Sequence, residues 1–391
     1  MKQFLERFGG SSESIRLFFA PGRVNLIGDH TDYSGGYVLP AALDFGTWMA
    51  IRKRQDDCLR MASTSFAHVV TCDTNHLEFR AEDGWGNYPK GVLSLLKQRG
   101  VDFGGFDILF HGNIPNGAGL SSSASIEMVT AIGVCALANA ELSIIDLVKL
   151  TQQAENQYMG VNCGIMDQFA VGMGKQDHAM FLRCNTLEYR YVPLTLGDYR
   201  LVVINSNKRR ELADSKYNER RQECEDGFTI IQSKLAEAKD LGSVSVDEWE
   251  KVRELIKIPT ISNRLEHVVY ENDRVKQSTE ALKQGDLIRF GQYMVASHHS
   301  LRHFYEVSCF ELDTLVEEAL QMEGCIGARM TGAGFGGCTV NVVHKERLAE
   351  FGNSVAQQYT QKTGFTADFY VCNLGEGARE IAVGEDKTWP F

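Results

Sequence analysis

Proline is scarce, 7 in 391 residues, against 43% hydrophobic and 23% charged side chains. That balance excludes a disordered or low-complexity chain and predicts a globular one. Paired cysteines are missing as well. The 10 cysteines stand singly with no C-x-x-C spacing, which argues against a zinc site and predicts reduced, buried thiols. Basic charge is outnumbered, 40 Lys and Arg to 51 Asp and Glu, for a net charge of −11. An acidic surface argues against nucleic acid or an anionic membrane as partner. It also means that a phosphate site has to be built locally, from backbone dipoles, a metal and a few basic side chains. No apolar run reaches membrane length and MKQFLERFGG lacks an apolar h-region, so the expected compartment is the cytoplasm. No G-x-x-x-x-G-K-[ST] occurs, so the chain has no Walker P-loop.

The length allows two or three domains, and there is no internal repeat. Pattern and punctuation predict strands over Ile15–Ala20, Thr47–Lys53, Phe106–His111 and Ala179–Arg183, and helices over Tyr88–Lys97, Ser123–Ala138 and Ile144–Met159. The last starts at a capping-box-like Ser143-x-x-Asp146 and stops at Gly160. Beyond a strand at Arg200–Asn205 the chain turns helical and charged to about Ser300. It closes with a helix Asp313–Met322 and strands Thr339–Val343 and Ala367–Cys372. A break near residues 190–200 predicts two α+β domains with a site in the cleft between them.

The densest chemistry lies in residues 19–40, FAPGRVNLIGDHTDYSGGYVLP. Arg23, Asn25, Asp29, His30 and Asp32 stand among Gly22, Gly28, Gly35 and Gly36, so several hydrogen-bonding groups converge on one turn. Alternating donors and acceptors of this kind satisfy a ring of sugar hydroxyls. Taken alone, D-H-T-D is a polar hairpin turn. The segment strongly resembles the signature of galactokinases, in the GHMP family of small-molecule kinases, roughly G-R-x-N-L-I-G-E-H-T-D-Y. Gly22 through Tyr33 match it everywhere except at Asp29, one methylene shorter than the usual Glu. The resemblance implies that Asp29, His30 and Asp32 bind the sugar.

Gly112-Asn113-Ile114-Pro115-Asn116-Gly117-Ala118-Gly119-Leu120-Ser121-Ser122-Ser123-Ala124 follows a predicted strand and opens a helix. Glycines admit close backbone approach, and the helix start offers free N–H groups and a partial positive charge to an anion. A serine-rich cap with no ligand is the plain alternative. The run resembles the GHMP phosphate motif P-x-G-A-G-L-S-S-S-A, which implies an ATP cradle at Gly117, Ala118, Gly119, Leu120, Ser121, Ser122 and Ser123. The Ser123 hydroxyl then becomes a Mg²⁺ ligand. Magnesium asks for carboxylate oxygen too, and the family pattern puts it at Glu155, otherwise an ordinary helix-surface residue.

Val161-Asn162-Cys163-Gly164-Ile165-Met166-Asp167-Gln168-Phe169 sets one carboxylate in uncharged, largely apolar surroundings. Such a group pairs with a cation or takes a raised pKa, and both mark active sites; a buried structural Asp is the alternative. By resemblance to the galactokinase G-x-M-D-Q segment, Asp167 receives the proton of the sugar's anomeric hydroxyl, Arg23 is its partner, and Gly164 lies at the sugar. Tyr217, in Asp214-Ser215-Lys216-Tyr217-Asn218-Glu219-Arg220-Arg221, matches the tyrosine of a S-x-Y-x-x-R-R stretch that contacts sugar. Trp85 with Tyr88 is similar to the aromatic residues that pack on adenine.

Gly332-Ala333-Gly334-Phe335-Gly336-Gly337 is a formal G-x-G-x-x-G, yet a strand pattern follows it instead of a helix, which excludes a dinucleotide fingerprint. It resembles the third GHMP motif. Ser94-Leu95-Leu96-Lys97 and Lys362-Thr363-Gly364 mimic penicillin-binding signatures without a S-D-N and are accidents. His298, His299 and His303 lack acidic or cysteine partners at metal-site spacing. The resemblance spans nearly the whole chain. It implies an α+β, two-domain GHMP kinase fold: a ribosomal-protein-S5-like domain over 1–192, a ferredoxin-like domain over 193–391, and the active site in their cleft. The implied activity is ATP-dependent phosphorylation of galactose at its C1 hydroxyl, with ATP and Mg²⁺ bound by a monomer or weak dimer. A kinase of N-acetylgalactosamine or another sugar and a non-catalytic galactose- and ATP-dependent sensor are the alternatives. Mevalonate and homoserine kinases lack the D-H-T-D-Y block.

Overall fold

The computed structural model describes residues 2–115, 119–208 and 213–382. Thirteen strands are described: β1 (Arg16–Asn25), β2 (Tyr37–Val38), β3 (Pro40–Lys53), β4 (Cys58–Ser63), β5 (Val70–Asp73), β6 (Phe106–Gly112), β7 (His178–Arg183), β8 (Glu188–Pro193), β9 (Tyr199–Asn205), β10 (Cys325–Thr331), β11 (Cys338–His344), β12 (Asp368–Cys372) and β13 (Arg379–Ile381). They form a six-stranded sheet β13-β1-β3-β6-β4-β5, a four-stranded sheet β10-β11-β9-β12 and a small sheet β2-β7-β8. The first is mixed through the parallel pair β4–β6, and the second is wholly antiparallel.

β1 is buried almost end to end because both faces of its sheet are covered. Phe18 and Ala20 pack with Met128 and Ile132 of the helix Ser122–Ala138. Leu17 packs with Phe4 of the helix Lys2–Phe8 on the other side. The strand runs five residues past the predicted end at Ala20. Pro21 is tolerated there because the pairing with β3 shifts between Pro21 and Arg23, a bulge of the kind that admits proline and re-aims the next side chain. β3 is likewise longer than the predicted Thr47–Lys53. The predicted helix Ile144–Met159 is α-helical over Ile144–Gln153, where Ser143 Oγ accepts from the Asp146 N–H at 3.1 Å. Ala154–Met159 then forms a π-helical turn before Gly160 at φ 79°. Such bulges add a residue to one turn and mark functional positions; here Glu155 sits in it, buried.

The charged stretch after β9 folds into helices Ala213–Gln232, Val246–Val252, Pro259–Lys283 and Leu287–His303, and the predicted helix at residue 313 starts earlier, at Phe310. The chain finally returns to the first sheet as β13 beside β1. Among the described residues, no helix is long and apolar enough to cross a membrane.

Candidate active site

Arg23 follows the β1 bulge. Its backbone N–H donates to Leu120 O at 3.1 Å and its Nη1 to Gly119 O at 2.6 Å, so it pins the loop ahead of the helix Ser122–Ala138. Its Nε and Nη2 both donate to Asp167, at 2.8 Å each. This is the parallel two-bond geometry that makes Arg–carboxylate pairs strong and directional. Arg23 is 4% exposed and the Asp167 side chain 28%, so the carboxylate is held from the protein side and open on the other. Ser121 Oγ donates to Asp167 Oδ2 at 2.5 Å. Its backbone is left-handed at φ 61°, uncommon outside glycine, and its hydroxyl makes no cap on the helix that it precedes.

These groups line a cleft of about 620 Å³ with Asp29, His30, Asp32, Tyr88, Ser122, Ser123, Glu155, Gly164, Tyr217, Gly332 and Ala333. Burial, and then the negative charge of Asp167, push the Asp32 carboxyl up to about 7. Gly164 is packed against it: a Cβ there would lie 1.9 Å from Asp32 Oδ2. Asp29 has both oxygens engaged, Oδ2 by the buried Arg329 and Oδ1 by the Gly332 N–H at 3.2 Å. It thereby ties the first motif to the C-terminal glycine loop. His30 sits at φ 64°, with Nδ1 2.9 Å from Tyr33 Oη and Nε2 3.1 Å from Ala333 O. The carbonyl requires a donor, so Nε2 carries the proton and Nδ1 accepts from the tyrosine. Burial lowers the ring to about 3 and keeps it neutral. Tyr33 Oη reaches Tyr305 Oη at 2.7 Å, and the Tyr217 ring lies edge-on to Tyr33 at 5.1 Å.

At the other end, Tyr88, Ser122 and Ser123 also line a second cavity of about 220 Å³, walled by Phe66, Trp85, Phe110 and Ile126. Trp85 stacks on Phe66 at 6.2 Å and meets the edge of Phe110 at 5.7 Å, with its indole N–H unpartnered. Glu155, on the larger cleft, is pushed up to about 7 by burial and then by Asp167, with the Ser123 hydroxyl among the groups that stabilise its charge. A hydroxyl beside a carboxylate that lacks a cation suits a hard dication. His298 serves the fold instead: it lies against Asp313 at 3.3 Å and its Nδ1 accepts from the Met330 N–H at 3.3 Å.

Three family models match the chain: the galactokinase galactose-binding signature over residues 2–53, the GHMP kinase N-terminal domain over 87–175 and the GHMP kinase C-terminal domain over 278–361. The galactokinase of Clostridium tetani is 49% identical over 381 residues, covering 97% of this chain and 96% of its own. That of Bacillus subtilis is 49% identical over 375 residues, 95% of this chain and 96% of its own. The chain belongs to the galactokinases. Lactococcus lactis galactokinase, solved with galactose bound, superposes with a TM-score of 0.94 at 42% identity, covering 97% of this chain and 98% of that one. A mevalonate kinase from Methanococcus jannaschii, TM-score 0.68 at 20% identity, shares the fold. This is the two-domain GHMP kinase fold, and its members' co-substrate is ATP.

Within the galactokinase frame, the folded chain gathers Arg23, Asp29, His30, Asp32, Gly119, Ser121, Ser122, Ser123, Glu155, Gly164, Asp167 and Tyr217 on one cleft, and Trp85 on the cavity that adjoins it. Leu120 is buried beneath the loop, its carbonyl turned to Arg23. Gly117 and Ala118 lie outside the described residues. Sequence reasoning missed Arg329, Tyr305, Phe66 and Phe110. Arg329 left a signal, since a lone guanidinium in the apolar strand Cys325–Thr331 demands a buried acceptor.

Proposed function

We propose that the protein transfers the γ-phosphoryl group of ATP to the anomeric C1 oxygen of galactose, giving galactose 1-phosphate and ADP. The observation that carries this reading is the Arg23–Asp167 pair in a polar cleft that continues, past Ser122 and Ser123, into an aromatic cavity. Asp167 orients the C1 hydroxyl and takes its proton. Arg23 holds that carboxylate by two hydrogen bonds and stands beside the reacting oxygens, where positive charge stabilises the phosphoryl group in flight. Because that transition state is loose, positioning and charge compensation supply most of the rate.

Asp32, His30, Gly164 and Tyr217 form the sugar wall. Asp29 stands there with its lone pairs already shared by Arg329 and Gly332, so it shapes the wall as much as it binds. The loop at Gly119 and Leu120 and the hydroxyls of Ser122 and Ser123 receive the triphosphate, and Trp85 stacks with adenine. Ser123 and Glu155 would hold Mg²⁺, which when bound neutralises phosphate charge. Ser121 lines the same cleft with its hydroxyl donating to Asp167. We place the domain division near residue 192, with the enzyme working in the cytoplasm as a monomer or weak dimer.

The test is ADP release by the purified protein with galactose, glucose, N-acetylgalactosamine, arabinose and mevalonate. Turnover with galactose far above the rest is the expected result. A preference for N-acetylgalactosamine would reassign the substrate, and binding of galactose and ATP without turnover would make the protein a sensor.

A further inference from the structure

The turn that carries Asp29, His30 and Asp32 is built on left-handed backbone, with Gly28 at φ 101° and His30 at φ 64°. For a side chain as large as histidine such a conformation persists only where the surroundings over-determine it. Much of the hold comes from one helix, Pro259–Lys283. A Cβ on Gly28 would lie 2.9 Å from Val275 Cγ2, so the helix packs directly on the turn. Glu271, fully buried, accepts the Gly28 N–H on Oε1 at 3.0 Å, and its Oε2 pairs with Arg274 at 2.6 Å. One helical turn earlier on the same face, buried His267 sets Nε2 3.2 Å from Asp29 O. That carbonyl requires a donor, so Nε2 carries the proton. Nδ1, 2.8 Å from Ser300 Oγ, then accepts from the hydroxyl. Ser297 Oγ likewise donates to Glu271 Oε1. Two serines of the helix Leu287–His303 thus brace two side chains that grip consecutive residues of the turn.

We propose that Glu271 and His267 are positioning residues for the sugar: they hold the main chain of Gly28 and Asp29 so that His30 and Asp32 stand ready in the cleft before galactose arrives. Neither lines the cleft itself. The assignment rests on reading the wall at His30 and Asp32 as the galactose site. It goes further in placing the rigidity of that wall in a helix whose Glu271 lies 243 positions along the chain from Gly28. Without an acceptor for the Gly28 N–H, the turn relaxes away from its left-handed form. Galactose then has to re-order it, and the cost of ordering appears as lost galactose affinity.

Steady-state kinetics of the folded variants, with galactose and ATP varied in turn, tests the assignment. Glu271→Met keeps the volume and removes the acceptor. It is expected to raise galactose KM about tenfold or more, the scale of one hydrogen bond to a charged group, with ATP KM within about threefold and kcat moved less than galactose KM. A purely structural role would lower the thermal midpoint and the active fraction, and leave galactose KM where it was. Glu271→Gln keeps an oxygen for the Gly28 N–H and for Ser297, gives up only the pairing with Arg274, and stays within about threefold of the parent. Parental galactose KM in folded Glu271→Met, equal losses for galactose and ATP, or Glu271→Gln as damaging as Glu271→Met overturns the proposal. Should Glu271→Met fail to fold, His267→Phe, which keeps a ring and loses the donor to Asp29 O, carries the same expectation, and parental galactose KM there overturns it equally. Asp32→Ala separates the two readings. Parental galactose KM in that variant removes the sugar wall itself, whereas a loss there with none in Glu271→Met removes the positioning assignment alone.

Discussion

Gly164→Ala adds one methyl group at the sugar wall, and its effect can be worked out from the packing. The backbone of Gly164 is not left-handed, so alanine brings no conformational strain, and the whole cost falls on what its Cβ meets. That neighbour is the Asp32 carboxylate, with Oδ2 at 1.9 Å and Cγ at 2.3 Å. Ordinary van der Waals contact starts near 3.4 Å, so the carboxylate has to retreat by about 1.5 Å. It is held in place by the N–H groups of Tyr33 and Met166. Displacement on that scale breaks one or both bonds, at about 1.5–3 kcal/mol each for a charged acceptor. With some relaxation the net loss is about 2–4 kcal/mol, or about 30- to 700-fold in galactose KM. Steady-state kinetics with galactose varied at saturating ATP, and then the reverse, separates the two sites. ATP KM should stay within about threefold, since Gly164 does not line the aromatic cavity. A folded Gly164→Ala enzyme with parental galactose KM would refute both the placement of Asp32 at the sugar and the reasoning from contact distance.

Asp167→Asn and Arg23→Ala should each lower kcat by about a hundredfold or more while the thermal unfolding transition persists; near-parental turnover in both removes the pair from the mechanism. Asp32 gives a pH signature in galactose binding, because a carboxyl pushed up to about 7 is ionised to accept sugar hydroxyls only above that pH. Galactose affinity therefore falls as pH drops below about 7, and Asp32→Asn flattens the profile; a pH-independent parent would contradict this. The same group affects stability with the opposite sign. Its folded value lies above the unfolded 3.8, so the stabilisation is full below 3.8 and lost as pH rises through about 7. Urea midpoints of the ligand-free protein should accordingly fall with rising pH less steeply in Asp32→Asn than in the parent. Trp85→Ala should raise ATP KM about tenfold, the loss of one aromatic stack, with galactose KM unmoved; the converse pattern would dissociate Trp85 from the nucleotide.

What the amino-acid order made legible follows from how local each cause is. The glycine and serine run before residue 124 marks a helix start by composition alone, and the helix begins at Ser122. Arg23 and Asp167, 144 positions apart, were joined only through resemblance, since no local rule brings the two segments together. Pro21 hid the second half of β1, because proline normally ends a strand and the bulge that admits it belongs to the pairing with β3. The π-turn at 154–159 was equally hidden, as its extra residue leaves no periodic trace in six positions. The motif alone puts Asp29 at the sugar and names no partner for it. Its real constraint, Arg329, arrives from a strand 300 residues later in the other sheet. Composition places Ser121 with Ser122 and Ser123 in the triphosphate cradle, while its left-handed backbone and its hydrogen bond to Asp167 depend on the folded chain.

The charge balance of the cleft bears on how an acidic protein can take up a polyanionic nucleotide. Arg329 is matched by Asp29 and Arg23 by Asp167, so these four groups cancel in pairs. Asp32, Glu155 and Glu127 remain, all carboxyls raised first by burial, and each raised further by Asp167. Among the described residues that line the cleft, a triphosphate meets no net attraction from side chains, and a bare polyanion would be repelled if the three were ionised. Attraction has to come from the uncapped helix start and from a dication carried in with the nucleotide. Binding should therefore release protons from Glu155 as the cation replaces them, making nucleotide affinity rise with pH through about 7. Calorimetric titration of the magnesium nucleotide in two buffers of different ionisation enthalpy measures that release. A proton count of zero near pH 7 would mean that Glu155 is already ionised without the metal, and the charge argument would fail at that residue.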